Sequence, residues 1–344
     1  MTKYFLADES LNNLIDENLN LLYFEDAVMA GYGMQSHVGI NFQDSYGTSQ
    51  TTSLQYIPFT TEGITHTIEQ LTEANMYSRF SESPYHAGAH LVQGDLTLDA
   101  QPTTIGHFLK SVVGLTSTTS DTGKQIHIFN PATEDFGARA AMTPMTMELF
   151  RDVGSSMLYY DLIGNNISLN IANGQLLNMT CGFIGAGVSR VANSTPTFPT
   201  DAPFLWDQVS ATYNGATVVD LRDLTININN NLEAVYTLTG SKTPYKIKRT
   251  APQQIEITGT MLYQSHSYQQ AFEAQAENQF ILNFVNAQSP HTLKIDMPSM
   301  RFKTFEPVAG GQGIVEASFT AGAMFNANSN DTMKITLENT HTYY

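Results

Sequence analysis

Apolar and polar residues alternate over 223–231, where Thr225, Asn227 and Asn229 separate Leu224, Ile226 and Ile228. A period of two puts one face of an extended strand in a core and the other toward solvent. Gly240-Ser241 and Thr243-Pro244 then interrupt regular structure, because glycine tolerates positive φ and proline removes a backbone donor. Alternation resumes over 255–262, giving strand, long loop, strand.

This unit occurs twice. In 62–94, Ile64, Thr65 and Ile68 answer Leu224, Thr225 and Ile228, and Ser81–Tyr85 answers Ser241–Tyr245. Ile64 precedes Pro84 by twenty residues, and Leu224 precedes Pro244 by the same interval. Gly94 answers Gly259, with five extra residues in the second loop. A short helical pattern follows each copy (103–113 with Phe108, 268–276 with Phe272), and then a strand (125–129, 280–285). Residues 177–186 and 314–323 match loosely. An ordered series of matches at similar spacing predicts a duplicated domain.

The remaining elements fit around this frame. A first strand is expected over 38–42, and others over 157–160, 167–171, 175–183, 291–295, 300–305, 313–325 and 332–337, separated by turn signals such as Gly164-Asn165-Asn166 and Asn173-Gly174. The Pro/Ser/Thr-rich run 194–203 reads as a linker. The expected division is therefore an extension over 1–35, one domain over 36–193, the linker, and a second domain over 204–344. In the extension, Asp8-Glu9-Ser10 could cap a helix carrying Leu11, Leu14, Ile15, Leu19 and Leu22. That helix would pack on its own domain or act as an arm reaching a neighbouring subunit. Trp206, the single tryptophan, is expected as a core or domain-interface anchor.

Composition narrows the function. At 344 residues the chain can hold two domains with their own cores. Charged residues make up 14%, against about 25% in a typical globular protein; uncharged polar residues fill the gap and suit large areas of close contact. A net charge of −16 argues against holding nucleic acid through its phosphates. One cysteine, Cys181, permits no internal disulfide. No apolar run approaches the ~18 residues of a membrane-spanning helix.

Candidate chemistries are weak. His86 and His90 have the spacing of two metal ligands on one helical turn, but Ala87 stands where a zincin has glutamate, and Gly88 lies between them. Gly310–Gly313 lacks the Lys-Ser/Thr of a phosphate loop and reads as a hairpin turn. Cys181 sits in an alternating strand, as a small buried hydrophobe would. No carboxylate pair is singled out by spacing. No catalytic residue, cofactor or metal is expected, and the chain reads as a non-enzyme. Lys242, Lys246, Lys248 and Arg249 place four of the sixteen bases within eight residues of the second repeat loop. They form either a solvated tip or a basic contact to another copy.

Tyr46-Gly47-Thr48, the run Tyr56–Ile64, and above all the order Leu-Thr-Ile, Asn-Asn-Leu-Glu, Gly-Ser-x-x-Pro and Ile-x-Gly across 224–259 resemble the major tail tube proteins of long-tailed bacteriophages. The resemblance covers about 36–344 and supplies no role for 1–35. It implies a mainly β fold of two tandem tail-tube-like sandwich or barrel-forming domains, each with one short helix. It also implies a virion protein, assembled in the host cytoplasm, whose rings stack into a hollow conduit for DNA ejection. Two domains per chain would let a homotrimer form a pseudo-hexameric ring. Expected partners are the chain itself, a tape measure protein, a tail terminator and baseplate proteins; DNA would pass through the lumen without specific binding, and no membrane is involved. By the resemblance, the loop residues Lys242, Pro244, Tyr245, Lys246, Lys248 and Arg249, with Pro84 and Tyr85 of the first copy, would contact the next ring. Glu62, Glu69, Asp95, Asp99, Glu233 and Glu256 are candidates for an acidic lumen that repels phosphate. Other readings are a tail terminator or distal tail ring that does not polymerise, and a carbohydrate-binding β-sandwich of a tail fibre.

Overall fold

The computed structural model describes residues 5–6, 13–15, 21–23, 31–78, 80–131, 142–286, 291–342 and 344. Three short strands, β1 (Phe5–Leu6), β2 (Asn13–Ile15) and β3 (Leu21–Tyr23), pair antiparallel near the N-terminus. Next come β4 (His37–Phe42), β5 (Gln55–Ile57), β6 (Thr61–Glu62), β7 (Thr65–Thr72), β8 (Tyr85–Asp99), α1 (Ile105–Val112), β9 (Leu115–Asp121) and β10 (Lys124–Phe129). β11 (Met145–Phe150), β12 (Ser156–Ala172), β13 (Asn178–Gly185) and β14 (Gly187–Val191) complete the first half. The second half holds β15 (Val209–Tyr213), β16 (Ala216–Val218), β17 (Leu221–Asn229), β18 (Leu232–Val235), β19 (Lys246–Arg249) and β20 (Gln254–Leu262). It ends with α2 (Ser267–Glu273), β21 (Asn278–Val285), β22 (Thr292–Val308), β23 (Glu316–Ala323) and β24 (Lys334–Asn339). The chain is mainly β, with two short helices.

Eight strands form one antiparallel sheet in the order β7-β8-β13-β12-β17-β20-β23-β22. The first four come from the N-terminal half and the last four from the C-terminal half, and each half repeats the same order of pairings. β12 and β22 run for 17 residues each, and their register shifts at Gly164/Asn166 against β13 and at Phe302/Thr304 against β23. Such bulges bend a strand. Beyond them, the N-terminal ends of β12 and β22 enter two further sheets, β5-β4-β11-β12-β14 and β16-β15-β21-β22-β24-β10-β9. The hairpin β9–β10 thus comes from the first half and extends a sheet of the second.

The alternation that marked the strands also builds the core. Leu224, Ile226 and Ile228 are all buried, as are Leu96 and Leu98 of β8 and Ile167 and Leu169 of β12. Their buried side chains belong to one apolar cluster that runs through both halves. The C-terminal residue is part of it. The Tyr344 ring packs edge-on against His107 of α1, with centroids 4.8 Å apart, and Lys110 donates to its main-chain oxygen at 2.8 Å. A Cβ on Gly106 would stand 2.1 Å from the Tyr344 ring, so only glycine admits the ring here.

Several expectations need correction. Within the helix foreseen over Leu11–Leu22, Asn13–Ile15 and Leu21–Tyr23 are the strands β2 and β3, and the rest of that span lies outside the described residues. Asparagine at 12, 13, 18 and 20 is a weak helix former, which counts against a helix despite the apolar spacing. The Asp8–Ser10 cap lies outside the described residues. Trp206 is 43% exposed, because Phe204 two residues earlier takes the buried place. The second repeat loop is not irregular: β18 and β19 pair as a separate ribbon.

Candidate functional site: open edges, a polar face and two hairpins

The β12–β17 ladder shows how the two halves join. Seven residue pairs run from Asn166 opposite Asn229 to Ala172 opposite Asp223. Asn230, fully buried beside this ladder, fixes the corner. Its Nδ2 donates to the carbonyls of Val112 (2.8 Å) and Gly164 (3.1 Å), while its Oδ1 accepts from Gln253 (2.8 Å) and Arg249 (3.2 Å). One amide therefore satisfies groups from α1, β12, β19 and the segment before β20.

Each end of the eight-stranded sheet is open. Among the described residues, β7 pairs along one edge only, with β8 and no other strand. The segment Thr304–Val308 of β22 likewise pairs only with β23. Ile68, the repeat equivalent of Ile228, is 44% exposed, whereas Ile228 is fully buried beside β12. Unpaired edges with exposed apolar residues recruit further strands unless something covers them.

One face of the sheet is apolar and the other is a broad polar surface. The register brings Thr97, Thr180, Ser168, Asn227 and Glu256 into one row across five strands. A second row holds Asp99, Asn178, Asn170, Thr225, Thr258 and Thr320. Of the acidic candidates, Asp95, Asp99 and Glu256 stand on this face. Lys303 passes over Gly322 to reach Glu256 at 2.7 Å. Asp223 and Glu306 share the face and were missed, although Asp223 opens the alternating run 223–231 and its place was readable there.

The other three acids lie elsewhere. Glu62 pairs with Arg151 through two hydrogen bonds of 2.7 and 2.8 Å, so it is neutralised at the side of the sheet. This pairing raises the affinity of Arg151 for its proton against the cost of burial. Glu233 projects from the β18–β19 ribbon, and Glu69 sits near the tip of the first hairpin, accepting from the Ala89 N–H at 3.2 Å.

The two repeat loops differ. The first continues β7 and β8 into a projecting hairpin whose tip exposes Leu71, Met76, Tyr77, Phe80, Pro84 and Tyr85. The second folds back on the first half. Tyr236 donates to the His90 carbonyl (2.9 Å), the His90 N–H to the Lys242 carbonyl (2.8 Å), and Tyr46 to the Pro244 carbonyl (3.2 Å). Ile247 and Leu232 pack with Met142, Ile163, Tyr46 and Ile184. Pro244 is consequently buried and Arg249 turned toward Asn230, which removes both from the outer surface of the chain. Lys242, Tyr245 and Lys248 are exposed, and Lys246 is half-buried.

The weighed chemical motifs resolve structurally. His86 and His90 lie on β8, not on a helix. His86 contacts Glu73 at 2.9 Å, and the His90 ring lies against His66. Gly310–Gly313 falls in the turn between the paired strands β22 and β23. Cys181 is buried on β13, where desolvation raises its thiol pKa.

Open edges, a broad polar face and a projecting hairpin are features of a structural protein that assembles with itself. The phage tail tube protein family matches residues 33–323, and the chain belongs to that family. Its role is accordingly that of a structural component of a virion tail. No curated protein matches the chain.

Proposed function

We propose that this chain is the major tail tube protein of its virion, and that it polymerises into stacked rings enclosing the path of DNA ejection. Its halves, 36–193 and 204–344 with 194–203 between them, are two copies of one domain. The open Thr304–Val308 edge of one copy pairs with β7 of the next, as β12 pairs with β17 inside the chain. Three copies then close a pseudo-hexameric ring with no edge left over. The observation that carries this reading is the contrast between Ile68 and Ile228: equivalent positions, one bare and one covered by a neighbouring strand.

In such a ring the apolar sheet face packs outward on the core, and the polar face lines the lumen. Asp95, Asp99, Asp223 and Glu306 give it a negative field that repels phosphate, while Lys303 on the same face is engaged by Glu256. Contacts with the tape measure, terminator and baseplate proteins follow from the position of a tube within a tail. Sedimentation and class averages of the concentrated protein test the proposal. Stacked three-fold rings are expected; closed rings that never stack would reassign the chain to a terminating ring.

A further inference from the structure

The two halves of the chain meet along β12 and β17, whereas copies in the proposed ring meet along β22 and β7. Strand register sets the residues of these two joints in correspondence. Gly94 lies opposite Phe183 and Gly259 opposite Phe319, so the β8–β13 and β20–β23 pairings share one alignment. Cys181 and Ala317, each two residues before that phenylalanine, face Ile167 and Pro307. Pro307 therefore takes the place of Ile167. Glu306, opposite Ser318, takes that of Asn166, opposite Gly182. On the other strand, Ile68 faces His90 and Ile228 faces Ile255, each four residues before the marker glycine. Glu69 thus takes the place of Asn229.

Inside the chain Asn166 lies opposite Asn229, a neutral pair, and Asn229 also accepts from the Asn231 N–H at 2.9 Å. Carried to the joint between copies, the same register sets Glu306 of one chain opposite Glu69 of the next. Both carboxylates are exposed, and like charges directly opposite each other destabilise a strand pair. Cations of the same two sheet ends are held elsewhere: Lys303 by Glu256 at 2.7 Å, Arg222 by Glu316, and His86 by Glu73 at 2.9 Å. Pro307 acts in the same direction. Proline is admitted to a sheet where its missing N–H faces the open side of an edge strand, so the joint between copies lacks a donor there.

The joint within the chain is also strapped. Hairpin β9–β10 leaves the first half after α1 and pairs through β10 with β24 of the second. In the second half the corresponding interval, between α2 and β21, is only Ala274–Glu277, too short for a hairpin. No equivalent strap can reach from the second half to the next copy.

We infer that Glu306 and Glu69 of adjacent copies form a charge brake on ring closure, opposed where the joint inside the chain has two asparagines. This inference rests on the ring reading above and adds to it what sets the concentration at which rings close. Sedimentation velocity of the full chain at pH 8, where histidine is neutral, measures that concentration. Added salt should lower it, because salt screens exposed like charges. E306K and E69K each turn the like pair into an opposite pair. A gain of about threefold per joint, the scale of one cross-strand charge pair, is cubed in a ring of three and lowers the concentration of half-assembly about fivefold. E69K/E306K restores a like pair and should assemble no better than the unmodified chain, although it carries the least net charge of the four. E69Q/E306Q should close more readily and lose most of the salt response. Both positions are exposed, so thermal unfolding of the unassembled variants should match that of the unmodified chain. Single variants that assemble like the unmodified chain, or a double lysine variant that assembles better than either single, would overturn the charge brake and leave the ring standing. Absence of rings from the unmodified chain and from every variant, at all concentrations, would overturn the ring reading as well.

Discussion

Ile167 of β12 lies directly opposite Ile228 of β17, both fully buried, in the ladder that joins the two halves of the chain. Ile68 answers Ile228 in the sequence match, and among the described residues it has β8 on one side and no strand on the other. Ile228→Ala should therefore cost about 2–5 kcal/mol in the isolated chain, as other large-to-small core changes do. Ile68→Ala should cost the isolated chain well under 1 kcal/mol and act only on ring closure. Urea unfolding of the monomer, set beside sedimentation at assembling concentrations, separates the two effects.

Asn230 offers a sharper test of the joint. Asn230→Leu leaves the carbonyls of Val112 and Gly164 without its donors and takes an acceptor from Arg249 and Gln253. Each buried group left unsatisfied costs about 1–3 kcal/mol, so a loss of several kcal/mol is expected in denaturant unfolding. Asn230→Asp keeps the acceptor but not the donors and should recover only part of it.

The C-terminal latch should respond to a single methyl group. Gly106→Ala drives a Cβ to 2.1 Å from the Tyr344 ring, and overpacking of this kind costs about 1–3 kcal/mol. Tyr344→Ala empties the same space. The double variant should therefore be less destabilised than the sum of the singles, because the alanine at 106 no longer meets a ring. Thermal unfolding of the three variants measures this coupling.

Acid should weaken the chain through His107. Burial, then nearby His341, Lys110 and His127, lower its pKa from 6.5 to about 3. Above pH 6.5 the imidazole is neutral in both folded and unfolded chains. Between 6.5 and about 3 the unfolded chain binds a proton that the folded chain refuses, so stability falls as pH falls. His107→Leu should flatten part of that slope in unfolding measured from pH 7 to pH 4.

The polar face can be tested by charge. Asp99→Lys and Asp223→Lys together put cations where the proposed lumen has acids, on half-exposed positions outside the core. Tubes should still assemble but should retain short duplex DNA at low salt and release it as salt rises, a behaviour the unmodified tube lacks. Retention by the unmodified tube, or none by the variant, would place this face away from the DNA path.

Strands with strict alternation, such as 224–228 and 255–262, were legible because burial on one face imposes the pattern directly. The repeated order of strand pairings in the two halves accompanies sequence landmarks such as Pro84/Pro244 and Gly94/Gly259. Gly94 has φ +149° and would clash with Gly63 if given a side chain, so its recurrence has a physical cause. Long-range pairing was not legible. Nothing near Glu62 announces Arg151, 89 positions away, so the sequence alone offers Glu62 as a lumen candidate. The run Lys246–Arg249 drew attention by its charge, while Ile247 within it was the residue that mattered to the fold, holding the ribbon against the first half. The bulge that bends β12 leaves no local mark beyond Gly164-Asn165-Asn166, and the one in β22, at Phe302-Lys303-Thr304, leaves none.

The most direct test of the account is a cryo-electron microscopy map of the assembled polymer, at a resolution that traces strands. It should show three chains per ring, Thr304–Val308 of β22 hydrogen-bonded to β7 of the neighbouring chain, and the face bearing Asp95, Asp99 and Asp223 turned to the lumen. Rings of six chains, or rings in which β7 remains an open edge, would contradict it.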